Sequence, residues 1–65
     1  MKYSIDKHDI LVVFELNESK LQSNNAPHLK TELTLIHNEG YKNIVLDLNN
    51  VNFVDSSGLS AILMA

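Results

Sequence analysis

The sequence predicts a mixed α/β fold: a sheet with at least one parallel pair of strands and helices packed on one face. Three observations lead there. Two stretches near the start, around Tyr3 and from Ile10 to Leu16, alternate apolar side chains with a period of two. Ala26, Leu29, Leu33 and Ile36 then recur at helical spacing. A further apolar strand, Ile44-Val45-Leu46-Asp47-Leu48, follows that helix, and a strand–helix–strand order requires a crossover between parallel strands.

Taken in order, Tyr3 and Ile5 face one way and Lys2, Ser4 and Asp6 the other, so the first strand is half-buried. Lys7-His8-Asp9 is a polar turn. Ile10, Val12, Phe14 and Leu16 form the inner face of a second strand, and Leu11, Val13 and Glu15 the outer one, giving a hairpin. Asn17 to Lys20 is a loop, and Leu21 begins a very short strand. Ser23-Asn24-Asn25 offers helix N-caps, and Pro27 sits in the first turn, where its missing N–H costs nothing. Leu35 lies opposite the apolar stripe and is expected to be exposed, while Gly40 is the expected stop. Asn49-Asn50 turns the chain after the next strand. Val51 and Phe53 anchor the connection, and a second helix starts near Ser56 with Leu59, Ile62 and Leu63 as its buried face.

Sixty-five residues make one domain, 1–65, with a lean core. A chain of this size buries only about 60% of the surface its unfolded form exposes. No cysteine is present, so there is no disulfide framework and no thiolate metal site, and a cytoplasmic location is expected. The chain ends on Ile62-Leu63-Met64-Ala65 without a polar last turn, which predicts that a further strand and helices complete the domain. An uncovered helix end also favours strand exchange or a homodimer. The longest apolar run, Ile10 to Phe14, is far too short to span a membrane. Five lysines, no arginine and eight acidic residues give a net charge of −3. With no basic cluster to neutralise phosphates, direct nucleic-acid binding is not expected.

The segment that carries chemistry is Asp55-Ser56-Ser57-Gly58, opening an apolar helix after a buried strand. Serine suits a helix start, where free amides and the helix dipole favour an anion. Gly58 removes a side chain where another surface can come close. A phosphate on Ser56 would add about −1.5 to −2 charges. The helix end tolerates that charge and Asp55 opposes it, so the surface changes while the fold need not. As a bare tetrapeptide, the same run is an ordinary N-cap followed by a glycine.

Other readings of the chemistry-bearing residues fit less well. A hydrolase serine needs a base within reach and a Gly-x-Ser-x-Gly elbow, and the turn before Ser56 has no glycine. Asp47 with Asp55 could suggest a phospho-accepting receiver, but Lys7-His8-Asp9 does not supply the acidic pair; Asp47 is expected on the open sheet face. His8, His28 and His37 lie on a turn and on different sides of a helix, whereas zinc needs converging ligands. No metal, cofactor or catalytic residue is expected, and the chain does not read as an enzyme.

Ile44-Val45-Leu46-Asp47-Leu48, then Val51 and Phe53, then Asp55-Ser56-Ser57-Gly58-Leu59, resembles the signature of STAS domains, most closely of bacterial anti-sigma factor antagonists. Leu21, Ala26 and Leu29 agree in spacing. The resemblance spans the whole chain and corresponds to the N-terminal portion of such a domain. It implies a STAS-type mixed sheet in the order β-β-(β)-α-β-α. It implies that Ser56 is phosphorylated by a cognate anti-sigma serine kinase, that the unphosphorylated protein sequesters this kinase and releases the sigma factor, and that a metal-dependent serine phosphatase resets the switch. Asp55, Ser57 and Gly58 would flank the switch, and Leu21, Gln22, Ser23 and Asn24 would belong to the kinase-facing surface. The chain departs from the family there: a Gly-Glu-Leu-Asp-like element is common, and here the region reads Asn17-Glu18-Ser19-Lys20-Leu21-Gln22, with Gln22 at the aspartate's place. The alternative within the same fold is an unphosphorylated accessory subunit of a lipid or anion transport system, using the second helix as a static docking surface.

Overall fold

A computed structural model describes residues 1–63. The chain runs β1 (Tyr3–Lys7), β2 (Leu11–Leu16), β3 (Lys20–Leu21), α1 (Ala26–Asn38), β4 (Asn43–Asp47), β5 (Phe53–Val54) and α2 (Ser56–Leu63). β1 and β2 are antiparallel, with Ile5 opposite Phe14. β2 and β4 are parallel, with Val12 opposite Ile44 and Phe14 opposite Leu46. The main sheet therefore has the order β1-β2-β4, and the expected α/β class holds.

β2 sits at the centre and shows the alternation its sequence predicts. Val12, Phe14 and Leu16 are fully buried, while Leu11, Val13 and Glu15 on the other face are half-buried. Ala26, Leu29, Leu33 and Ile36 of α1 close over the inner face, and Leu35 points away, 53% exposed. Ile44, Leu46 and Leu48 are partly buried and pack against this core. Gly40 ends α1 with φ +98°, a conformation L side chains rarely adopt, and its N–H donates to His37 O at 3.0 Å.

Several local expectations are corrected. Ile10 lies in the bend before β2 and is 65% exposed, because the turn 8–10, held by His8 N–H donating to Leu11 O at 2.8 Å, takes it out of the ladder. The connection after β4 is more than an anchor: Phe53–Val54 pairs in parallel with β3, with Lys20 opposite Phe53 and Leu21 opposite Val54. Phe53 is 49% exposed, and Val51 packs on the core instead.

The buried face of α2 also differs. Gly58 and Ala61 are buried and Ile62 is partly buried, but Leu59 and Leu63 are 53% and 74% exposed. Small residues face inward because α2 crosses close to α1 and the β3–β5 pair, leaving no room for leucine. Met64 and Ala65 lie outside the described residues.

Candidate functional site

Two segments thirty-two residues apart in sequence meet at the start of α2. Asn52 N–H donates to Ser19 O at 2.7 Å, and Asp55 N–H donates to Leu21 O at 3.1 Å. The loop after β2 is thus laced along the chain that leads into Ser56. Asp55 completes the junction with its side chain. Its Oδ1 accepts from Gly58 N–H at 2.9 Å, and its Oδ2 accepts from Ser23 N–H at 3.2 Å. With Leu59 N–H donating to Asp55 O at 2.9 Å, Asp55 is the N-cap and Ser56, Ser57 and Gly58 are the first three helical residues.

This changes two expected roles. The cap comes from Asp55, not from a serine, so the aspartate does structural work besides shaping local charge. Ser56 and Ser57 are both exposed in the first turn. Gly58, expected to let a partner approach, is itself buried. A Cβ there would lie 2.5 Å from Leu21 O and 2.9 Å from both Leu21 Cγ and Val54 Cγ1. The close approach that requires glycine is internal, between α2 and the β3–β5 pair. Leu21, expected on the kinase-facing surface, has a fully buried side chain that lies under Gly58.

Gln22, Ser23 and Asn24 do lie at the surface beside the start of α2, Gln22 being half-buried and the other two exposed. Their loop is shaped by Asn25, which the sequence suggested as a cap. At the N-cap position it makes no side-chain bond to the helix. Instead Asn25 Oδ1 accepts from Gln22 N–H at 2.8 Å, and Asn25 Nδ2 donates to Lys20 O at 2.7 Å. Those bonds hold the turn against β3, so Asn25 is a positioning residue that helix-cap reasoning assigned to the wrong partner.

Exposed apolar residues flank the serine in sequence. Phe53, Val54 and Leu59 are 49%, 40% and 53% exposed. Phe53 was expected to anchor the connection and Leu59 to lie on the buried face of the helix; an apolar residue at helical spacing looks the same whether its face meets the core or solvent. On the other side of Ser57, a shallow groove between α1 and α2 is lined by Ala26, Pro27, Lys30, Ser57, Ser60 and Ala61. The site thus presents two exposed serines, Ser56 and Ser57, at a helix start, with an adjacent polar turn and exposed apolar side chains close by in sequence.

The STAS domain family model matches residues 2–65. The chain belongs to the STAS family. A curated relative, "Putative anti-sigma factor antagonist BtrV" of Bordetella bronchiseptica, is 33% identical over 64 residues. That match covers 98% of this chain and 54% of the relative, so the chain spans about half of the relative's length. Among the described residues of this STAS chain, no three metal-ligating side chains converge, and no helix is long and apolar enough to cross a membrane. The three histidines are dispersed: His8 pairs with Asp6 at 3.2 Å, His28 lies 3.7 Å from Glu32, and His37 is in the last turn of α1. Asp47 is half-buried at the end of β4, where its Oδ1 accepts from Asn49 N–H at 2.9 Å and shapes the following turn.

Proposed function

We propose that this STAS chain acts as an anti-sigma factor antagonist, a binding module switched by phosphorylation of Ser56. The observation that carries the reading is the placement of Ser56. It is exposed at the first position of α2, beside the Gln22-Ser23-Asn24 turn, on a backbone locked by the Asp55 cap. The name of the Bordetella relative supports the general role. The partner is an anti-sigma serine kinase, which binds the unphosphorylated surface and modifies Ser56; a metal-dependent phosphatase reverses the change. The module performs no chemistry itself.

The energetics favour a surface switch over a conformational one. A phosphate at the first helical position gains from the helix dipole and loses to the neighbouring Asp55 carboxylate, so the two effects on the fold oppose each other. At a partner contact nothing offsets the added charge, which must be desolvated against the apolar border formed by Phe53 and Leu59. Binding should weaken by at least about 30-fold, which corresponds to about 2 kcal/mol.

The decisive experiment incubates the chain with the serine kinase encoded nearest to it and maps the modified residue by mass spectrometry. One phosphate on Ser56 is expected. Ser56→Ala should then bind that kinase constitutively and Ser56→Asp weakly. Equal binding by both variants, or no phosphate from a kinase active on another substrate, overturns the switch and leaves α2 as a static docking surface, as in a transport-associated STAS subunit.

A further inference from the structure

Lys30 stands across from the serines of α2 without a carboxylate of its own. The groove between the helices takes one wall from Ala26, Pro27 and Lys30 and the other from Ser57, Ser60 and Ala61. Both walls belong to the first two turns of their helices. Because β2 and β4 are parallel, α1 and α2 start at the same end of the sheet. A helical side chain leans toward the N-terminus of its own helix, so Lys30 leans back toward the first turns of both. The residues three and four positions from Lys30 are Ala26, Pro27, Leu33 and Thr34, which offer no acidic partner within α1. Among the described residues it forms no ion pair, whereas Lys7 pairs with Glu39. On α2, positions 56, 57, 60 and 61 share one side, so Ser56 stands one turn above Ser60 at the edge of the groove wall.

We infer that Lys30 is the intramolecular counter-charge of the switch: it pairs with the phosphate once Ser56 carries one and draws it toward the groove between α1 and α2. The inference rests on the reading that Ser56 is the phosphorylated residue. An ammonium with no competing carboxylate is free to make a charge-assisted bond to a phosphate oxygen. That bond offsets the repulsion from Asp55, whose two oxygens are held by Gly58 N–H and Ser23 N–H and stay beside the serine. One ammonium against a phosphate of about −1.5 to −2 charges leaves the group negative, so the penalty at a partner contact persists. Lys30 therefore steadies the phosphorylated chain without cancelling the signal.

The test inserts phosphoserine at position 56 during translation, so that no kinase is needed, and titrates its phosphate by phosphorus NMR. Lys30 should hold the second pKa of the phosphate below its ordinary value of about 6. Lys30→Met should raise it by about 0.5, a change of about 3-fold in the dissociation constant, while Lys30→Arg should keep it low. Lys30 is exposed, so these variants leave the core intact. Lys7→Met removes the same charge at the far end of α1, where Lys7 meets Glu39, and should change the constant by less than about 1.5-fold. The difference due to Lys30 should shrink in about 0.5 M salt. A phosphate that titrates alike with Lys and Met at position 30, an arginine that behaves like methionine, or a Lys7→Met effect as large as that of Lys30→Met overturns the counter-charge. Failure of the kinase to modify Ser56 overturns the switch instead, and it is read in the separate kinase experiment.

Discussion

At the residue scale, Gly58 and Asp55 do the most to place Ser56, and they do it by different means. Asp55 satisfies two backbone donors from separate segments, the α2 first turn and the Ser23 turn. Gly58 contributes by having no side chain, since a Cβ would meet Leu21 O at 2.5 Å. That neighbour is backbone in a short paired strand and cannot rotate away. Gly58→Ala should therefore destabilise the fold by about 1–3 kcal/mol, despite alanine's better helix propensity. Chemical denaturation would show a lower midpoint at unchanged slope; a midpoint equal to or above wild type would mean α2 can shift outward at little cost. The sequence showed Asp-Ser-Ser-Gly as a helix start, and that much was legible. It did not show which residue caps, because aspartate and serine are both good caps and the choice depends on which lies next to Ser23.

At the element scale, α1 is tied to β1 by two polar contacts at the sheet edge. The Tyr3 hydroxyl donates to Glu32 Oε1 at 2.6 Å, with its ring stacked on Phe14 at 5.0 Å. Lys7 Nζ pairs with Glu39 Oε1 at 2.8 Å. The hydrogen bond to Glu32 raises the Tyr3 pKa above its ordinary 10.0, aided by burial and the Glu32 charge. The hydrogen bond to Glu39 raises Lys7 above 10.5, with desolvation opposing it. Both groups hold their proton more tightly folded than unfolded. Their contribution is complete below those ordinary values and is lost as pH rises through the raised ones. Urea midpoints should hold steady to about pH 9 and fall above about pH 10. Tyr3→Phe combined with Lys7→Met should be less stable at neutral pH and fall less steeply; an alkaline fall as steep as wild type would show that these ties contribute nothing. The existence of β1 and α1 was readable from periodicity, but their polar ties were not, since Glu32 and Glu39 lie 29 and 32 residues from their partners.

At the scale of the whole molecule, one core, formed among the described residues by nine buried side chains from β2, β3, α1 and α2, holds both layers together. All nine are hydrophobic, and among the described residues no buried polar or charged side chain dilutes them. In so small a chain one core side chain is a large share of the net stability. Leu29, fully buried between α1 and the sheet, is the sharpest probe. Leu29→Ala should cost about 2–5 kcal/mol and leave much of the chain unfolded at room temperature. Circular dichroism would read that as a loss of helix signal with no sharp thermal transition; a cooperative transition near the wild-type temperature would show that the core is not shared.

The amino-acid sequence by itself determined the α/β class, the hairpin, α1 with its glycine stop, the strand before the turn, and Ser56 at the head of a helix. These follow from periodicity, capping chemistry and turn residues, all local properties read within a few positions. Tertiary structure alone decided the β3–β5 pair, the inward face of α2 and the role of Gly58. Sequence assigned Leu59 and Leu63 to the core, yet the helix turns Gly58 and Ala61 inward. The physical reason is the short distance at which α2 passes Leu21 and Val54. An apolar pattern states that a face can be buried, and only the space left by distant segments decides which face is.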